Sequence, residues 1–235
     1  MQQLKSPQRS RGLAVAATPD RKPSRVDKLG VWLSKAITIE RLWVGTTESK
    51  PYPARRRVEE ALQIIKRHDA LNYSRIIRHL DRIWVHLLPS AQAHYDRSLN
   101  ACVLDERYVL KDTMTLEQLA STIVHEATHA RLEGWGIQYL EGRRAQIEAI
   151  CLRRELNFLT KTPNSKFLRD EIVRTLEWSA GDHEFYSDQS FQRRRQEGEV
   201  ETLRYLNAPN WLMTWASWLI RRRRERASAL PRSQS

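Results

Sequence analysis

Cysteine is scarce in this chain of 235 residues, which contains only Cys102 and Cys151. Two cysteines cannot form the network of bridges that holds a small secreted domain together. Long apolar segments are also lacking: no run approaches the roughly 18 apolar residues of a membrane-spanning helix. The apolar stretch from Leu13 to Ala17 is shorter than the hydrophobic region of a signal peptide. We therefore expect a cytoplasmic protein without a disulfide framework.

Acidic residues are few relative to basic ones, with 28 Asp and Glu against 40 Lys and Arg, which gives a formal net charge of +12. Arginine supplies most of the positive charge, with 31 Arg and 9 Lys. This surplus is typical of a basic solvated surface, or of a protein that associates with nucleic acid or an anionic membrane. It carries no information about the fold.

The chain divides into three parts by composition. Residues 1–28 are polar, basic and punctuated by proline, which predicts a disordered tail that could also serve as a pro-segment or a targeting signal. Residues 29–207 have the length of one domain. Residues 208–235 combine Trp211, Trp215 and Trp218, at helical spacing, with the run Arg221 to Arg224. That segment predicts a helix that packs on the domain, lies in a membrane interface or contacts nucleic acid.

Alternating and β-branched residues predict strands in the first half of the domain. We expect one strand between Gly30 and Gly45, another over Arg82 to Leu88, and a pair on either side of a turn near Ser98 to Asn100. The second strand of that pair covers Ala101 to Leu104. Apolar spacing predicts a helix from Ala54 to His68. The chain beyond Lys161 has mainly helical patterns.

The sequence His125-Glu126-Ala127-Thr128-His129 lies within an amphipathic helix predicted from Thr115 to Leu132. Residues four apart project from one face of a helix, so the two imidazoles can bind the same metal ion. This is the HExxH arrangement, in which the two His bind zinc and the Glu acts as a general base. Leu132 and Trp135 stand where the metzincin continuation requires Gly and His, so the third ligand must come from elsewhere.

Glu148 is the best candidate for the third zinc ligand. The glycines of Glu133-Gly134-Trp135-Gly136 allow the chain to reverse, and a second helix is predicted from near Gly136 to about Thr160. Glu148 lies near the middle of that helix, with 18 residues between it and His129. Four alternatives remain: Glu133, Glu141, Glu155 and Cys151. For Cys151, a buried small apolar side chain is the competing interpretation.

HExxH followed after about eighteen residues by a Glu on the next helix resembles the gluzincin pattern, which thermolysin-like proteases, zinc aminopeptidases and minigluzincins share. The resemblance covers His125 to about Asn157. It implies an α+β zincin-like fold, with a small, mostly antiparallel sheet before the zinc helix and a mainly helical C-terminal part. It also implies that an edge strand lines the cleft and pairs with an extended peptide, and our hypothesis is that this strand is Ala93 to Arg97 or Ala101 to Asp105. Leu152 stands where the larger gluzincins have Asp.

The function predicted from these residues is zinc-dependent hydrolysis of a peptide or protein substrate. Zinc bound by His125, His129 and Glu148 would leave a position for water, which Glu126 would deprotonate. Gluzincins also supply a downstream His or Tyr for the oxyanion, and His183, Tyr186 and Tyr205 are candidates. Residues that could orient the histidines are Asp105, Glu106, Asp112 and Glu155. The alternative is a non-catalytic, zinc-stabilised scaffold that binds nucleic acid or an anionic membrane through its basic surface and C-terminal segment.

Overall fold

A computed structural model of the chain describes residues 22–88, 91–179, 184–206 and 209. The C-terminal Trp/Arg segment and His183 lie outside these residues, as do residues 1–21. The described strands are β1 (Lys35–Ile39), β2 (Leu42–Thr46), β3 (Arg82–His86), β4 (Ala93–Asp96) and β5 (Ala101–Asp105). The described α-helices are α1 (Arg25–Leu33), α2 (Pro53–His68), α3 (Ala70–His79), α4 (Glu106–Val109), α5 (Leu116–Gly134), α6 (Arg144–Leu159), α7 (Lys166–Ser179) and α8 (Asp188–Tyr205).

The strands form one five-stranded sheet in the order β1-β2-β3-β5-β4. The outer pairs, β1 with β2 and β4 with β5, are antiparallel, whereas the central pairs, β2 with β3 and β3 with β5, are parallel. The prediction of a mostly antiparallel sheet was therefore wrong. Parallel neighbours need a long crossover, and α2 and α3 supply it between β2 and β3. The expected α+β class is confirmed, since the sheet precedes a mainly helical C-terminal half.

The segment predicted as one strand between Gly30 and Gly45 folds differently. It contains the end of α1 and a hairpin of β1 and β2, which turns at Glu40 with a positive φ of 57°. A left-handed residue is what a two-residue hairpin turn requires. Helix α1 begins at Arg25, inside the segment that composition assigned to the N-terminal tail. The side chain of Ser24 caps it by accepting a hydrogen bond from the Asp27 amide at 3.0 Å.

The main core lies between one face of the sheet and helices α2, α3 and α5. It includes Val44, Val85 and Leu104 from the sheet, and Leu119, Ile123 and Val124 from α5. A smaller apolar cluster around Trp84 and Val103 occupies the opposite face of the sheet. None of the helices within the described residues combines the length and the apolar composition needed to cross a membrane. Helix α5 packs against the sheet on one side, and α3 and α6 pack against its other faces.

Candidate metal centre

Helix α5 carries the histidine pair on the face that packs against α6. The helix begins after Thr115, whose hydroxyl accepts a hydrogen bond from the Gln118 amide at 3.1 Å. Ser121, His125 and His129 follow one another at intervals of four residues, so they form a single row along the helix. Both the helix and its capping residue agree closely with the helix predicted from Thr115 to Leu132.

A glycine-dependent reversal joins α5 to α6. The amide of Gly136 donates to the Glu133 carbonyl at 2.8 Å, and the amide of Ile137 donates to the Leu132 carbonyl at 3.0 Å. This pair of bonds is the Schellman motif, and Gly136 occupies its left-handed position with φ of 78°. Leu132 and Ile137 also belong to a small apolar cluster with Ile147 and Cys151 of α6. The reversal therefore fixes the position of α6 over the histidine row.

The first third of the predicted second helix is not part of α6. Helix α6 begins at Arg144 and not near Gly136, because residues 137–140 form an irregular connection followed by a short 3₁₀ turn at Glu141–Arg143. Glu148 consequently lies in the second turn of α6, and Glu155 lies two turns later on the same face. Both carboxylates reach the histidines of α5 from this face.

Three side-chain groups converge at the centre of the site. His125 Nε2 lies 3.2 Å from His129 Nε2 and 3.1 Å from Glu148 Oε2. His129 Nε2 lies 3.5 Å from Glu148 Oε1. For nitrogen and oxygen ligands at about 2.0–2.1 Å, tetrahedral geometry separates two ligand atoms by about 3.3 Å. The three groups therefore have the spacing that a tetrahedral metal ion requires.

Cys151 is a second candidate for the third ligand. Its sulfur and one nitrogen from each of His125 and His129 all lie within 4.8 Å of one another. A thiolate bonded at about 2.3 Å would lie about 3.5 Å from a nitrogen ligand. Complete burial raises the pKa of the Cys151 thiol, and the charge of Glu148 raises it further. Glu148, whose oxygens lie 3.1 and 3.5 Å from the two imidazoles, and Cys151 are thus both candidates for the third ligand.

The charges of the site are strongly coupled. Burial alone would lower the pKa of His125, but its contacts with Glu148 and Glu155 raise that pKa well above its usual range. Burial alone would raise the pKa of Glu148, whereas its contacts with His125 and His129 hold that pKa well below its usual range. A cation that binds between these groups takes the place of the imidazole protons, so metal binding here should release protons.

Glu155 orients His125 from the opposite side of the ring. Its Oε2 lies 3.1 Å from His125 Nδ1, and its Oε1 accepts a hydrogen bond from the buried Ser121 hydroxyl at 2.9 Å. A donor at Nδ1 fixes the tautomer that leaves the Nε2 lone pair available to a metal. Of the four residues predicted as orienting groups, Glu155 is the one that contacts His125 or His129 in the described part of the chain. Asp105 instead caps α4, accepting hydrogen bonds from the amides of Arg107 and Tyr108.

Tyr139 is a site residue that the sequence did not reveal. Its hydroxyl donates a hydrogen bond to Glu148 Oε1, and its ring meets the edge of the His129 ring at a centroid distance of 5.3 Å. Burial and the charge of Glu148 raise the pKa of the Tyr139 hydroxyl, which keeps it protonated and able to donate. Tyr139 lies in the irregular connection before α6. The helix predicted from near Gly136 included this residue and would have pointed its side chain in a different direction. Its proximity to Gly136 was the only available signal.

Glu126 lies beside the histidine pair, toward the sheet. It is only 6% exposed, and it raises the pKa of the buried Cys102 thiol in β5 together with the burial of that thiol. Within the described parts of the chain, its carboxylate makes no hydrogen bond or ion pair with another side chain. Glu126 is therefore available to a bound water or substrate between α5 and the sheet.

The remaining candidates from the sequence are engaged elsewhere. Glu133 pairs with Arg97 at 2.8 Å, and Glu141 accepts a hydrogen bond from the Asp188 amide at 2.8 Å. Tyr205 is exposed and lies beneath the Arg107 guanidinium. Tyr186 is buried, and its carbonyl accepts a hydrogen bond from Arg144 at 2.9 Å. Among the described residues, the tyrosine whose hydroxyl contacts a candidate ligand is Tyr139.

Strand β4 forms the sheet edge closest in sequence to the site, and it packs against α5. Of the two edge strands predicted from the sequence, Ala101 to Asp105 was wrong, because β5 pairs with β3 on one side and β4 on the other. The other alternative, Ala93 to Arg97, corresponds to β4, which is an edge of the described sheet. Comparison of the chain with protein-family models, curated proteins and solved structures finds no match, so the resemblance to gluzincins stays a prediction.

Proposed function

We propose that this chain is a zinc-dependent metallopeptidase of gluzincin type. The observation that carries the proposal is the convergence of His125, His129 and Glu148 at 3.1–3.5 Å, with the buried Glu126 beside them. Two imidazoles and one carboxylate are the ligands of many catalytic zinc sites, which keep a fourth position open. A structural zinc site, in contrast, is closed by four protein ligands.

Zinc held by these residues would lower the pKa of a bound water and polarise a substrate carbonyl. Glu126 accepts the proton of the attacking water and returns it to the departing amine. Glu126 is buried between α5 and the sheet, next to the ligands. Its carboxylate has no side-chain hydrogen bond or ion pair among the described residues, so it can contact the water. Glu155 and Ser121 hold the His125 ring in the orientation that presents Nε2. Tyr139 holds Glu148 from the other side.

The peptide substrate binds along β4. An extended peptide can add to an exposed sheet edge through main-chain hydrogen bonds, which fix the backbone without demanding one sequence. Helix α5 packs against β4, so a peptide on that edge passes the histidine row. We expect such main-chain recognition to accept peptides of varied sequence.

Metal analysis tests the ligand assignment. Purified wild-type protein should contain one zinc per chain by elemental analysis, and Glu148→Ala should lose it. Cys151→Ala is the matched control on the same helix, and it should retain the metal. If Glu148→Ala kept full zinc while Cys151→Ala lost it, the thiol would be the third ligand and the gluzincin assignment would be wrong.

A peptide-library digest tests catalysis. Glu126→Gln should retain zinc and the fold but lose about 10²–10⁴-fold in turnover, which is the usual contribution of a general base. Glu117→Gln, in the first turn of the same helix, is the control that should leave turnover unchanged. Stoichiometric zinc with no cleavage dependent on Glu126 would favour the scaffold, in which the metal only stabilises the fold.

A further inference from the structure

A cleft lined in part by arginine side chains lies on a different face of α5 from the histidine pair. This cleft, between α3, α5 and α6, has a lining that includes Asn72, Arg75, Val124, Thr128, Arg131 and Arg154. The α5 residues in this lining lie about 120° around the helix from His125 and His129, at 100° per residue. The cleft is therefore separate from the candidate metal centre, although both are built on α5.

Three guanidinium groups from three helices line this cleft: Arg75 of α3, Arg131 of α5 and Arg154 of α6. Among the described residues, none of the three forms an ion pair. Arg75 donates to the neutral Asn72 side chain at 3.2 Å, and Arg131 lies over the Trp135 ring at 4.1 Å. These neutral contacts position the arginines without cancelling their charge.

The charges of the trio act on one another. Burial lowers the pKa of Arg75, and the charges of Arg131 and Arg154 lower it further. Burial and Arg154 lower the pKa of Arg131 in the same way. The acidic group that acts on Arg75 is Asp69, but its Oδ2 already accepts hydrogen bonds from Lys161 and Asn72, both at 2.8 Å. The cleft thus carries a positive charge that no ion pair among the described residues neutralises.

We propose that this cleft binds an oxyanion, namely the phosphate or sulfate group of a small ligand. Guanidinium groups present several N–H donors in a planar fork that matches the oxygens of a phosphate, and such charged hydrogen bonds are about twice as strong as neutral ones. Because the three arginines come from separate helices, they can approach one anion at the mouth of the cleft from different directions. The Thr128 hydroxyl also lines the cleft, but it donates to the Val124 carbonyl at 2.8 Å and is not counted as a ligand. The inference does not depend on the proposed peptidase activity.

Calorimetric titration of the full chain with inorganic phosphate tests the proposal. Chloride holds the ionic strength constant, so that the screening of electrostatic interactions by salt does not change during the titration. Wild-type protein should bind phosphate saturably at one site. Arg75→Gln/Arg154→Gln should raise the dissociation constant for phosphate by at least about tenfold, because each lost charged hydrogen bond contributes appreciably to affinity. A parallel titration with adenosine 5′-monophosphate distinguishes free phosphate from phosphate carried on a larger molecule.

The matched control is Arg78→Gln/Arg153→Gln, which removes the same charge from the same two helices at exposed positions outside the cleft. Its phosphate affinity should equal that of the wild type. Tighter binding of the nucleotide than of phosphate would assign the site to a phosphorylated small molecule, and comparable binding would assign it to the free ion. The absence of saturable binding of either probe, or equal weakening in both double variants, would overturn the proposal. Arg154→Gln alone repeats the test if the first double variant fails to fold.

Discussion

At the residue scale, the orientation of His125 depends on Glu155. The carboxylate lies 3.1 Å from Nδ1 and is itself held by the Ser121 hydroxyl at 2.9 Å. Glu155→Gln should lower zinc affinity by about 10–100-fold, as loss of an orienting partner does in other zinc sites. The change retains side-chain size but removes the negative charge that favours the donating Nδ1–H tautomer. Competition with a chelator at neutral pH measures the affinity.

Glu171→Gln serves as the control for this prediction, since Glu171 is exposed on α7 and does not contact the histidines. Its zinc affinity should match the wild type. Unchanged affinity in Glu155→Gln would mean that the Glu155 contact contributes nothing to the ligand geometry. In that case Ser121 and Glu155 would be only part of the packing between α5 and α6.

The residues predicted from the sequence share a simple property, which is that helix periodicity fixes their relative positions. His125 and His129 are one turn apart, and Glu148 needs only a helix that returns along α5. The structure brings these three together. Tyr139 could not be found in this way, because its contact with Glu148 depends on the irregular connection after Gly136. Side-chain directions in such a connection follow from tertiary packing and have no periodicity in the sequence.

At the scale of elements, the reversal between α5 and α6 depends on one glycine. Gly136 has φ of 78°, and beyond Gly136 and its two chain neighbours no atom lies within 4 Å of the position that a Cβ would occupy. Gly136→Ala should therefore destabilise the protein by about 1–2 kcal/mol through backbone strain alone. Chemical denaturation of the metal-free protein measures this difference in the free energy of unfolding.

Gly134 offers a control two residues earlier. It is the last residue of α5, and the space around its Cβ position is equally open. Because its φ is not left-handed, Gly134→Ala should be neutral or should stabilise the helix by up to about 1 kcal/mol. Equal destabilisation by both substitutions would contradict the strain argument and would point to a requirement for small side chains.

The β4 edge provides a test of peptide binding. The Asp105 amide donates to the Gln92 carbonyl at 2.9 Å, and the register pairs His94 with Val103. Hydrogen-bonded pairs alternate along antiparallel strands, so the main-chain groups of Ala93 and Tyr95 point away from β5, toward the free edge. Ala93→Pro should raise KM for peptides by about 3–10-fold by removing one outward N–H, with little change in Tm.

Ala93→Ser keeps that N–H and should leave KM near the wild-type value. This pair of variants separates a lost hydrogen bond from a change of side chain. If Ala93→Pro left KM unchanged while activity persisted, the peptide would not bind along β4, even though the zinc-site assignment could still hold. The test therefore distinguishes how the substrate binds from whether the chain is a peptidase.

The order and direction of the strands were harder to predict than the helices. The pattern of Ala93 to Asp105 gave the β4–β5 hairpin and its turn correctly, because the turn lies between adjacent strands. It could not show that β3 adds parallel to β5, which placed β5 inside the sheet. Pairing between strands distant in the chain depends on the packing of α2 and α3 across the sheet. Local alternation of apolar residues contains no information about that packing.

At the scale of the whole molecule, global stability should depend on His86. This side chain stacks on Trp84 at a centroid distance of 3.9 Å, and burial, reinforced by nearby His94, lowers its pKa from 6.5 to about 4. Between these values the unfolded chain binds a proton that the folded chain excludes. Stability is therefore highest above pH 6.5 from this contribution and falls as the pH decreases toward 4.

Replacement of the ring isolates this contribution from the other titrating groups. His86→Phe keeps an aromatic ring against Trp84 but cannot bind a proton, so its free energy of unfolding should fall less between pH 6.5 and pH 4. With allowance for the partial exposure of His86, we expect the decrease in the free energy of unfolding over this interval to be smaller by about 1–2 kcal/mol in His86→Phe than in the wild type. Denaturation with a chelator present keeps the metal centre out of the comparison. His68→Phe, at the end of α2, is the control for replacing a histidine elsewhere in the chain. Identical slopes for wild type and His86→Phe would show that His86 gains its proton without unfolding, through a local opening at the C-terminal end of β3 that remains compatible with the native fold.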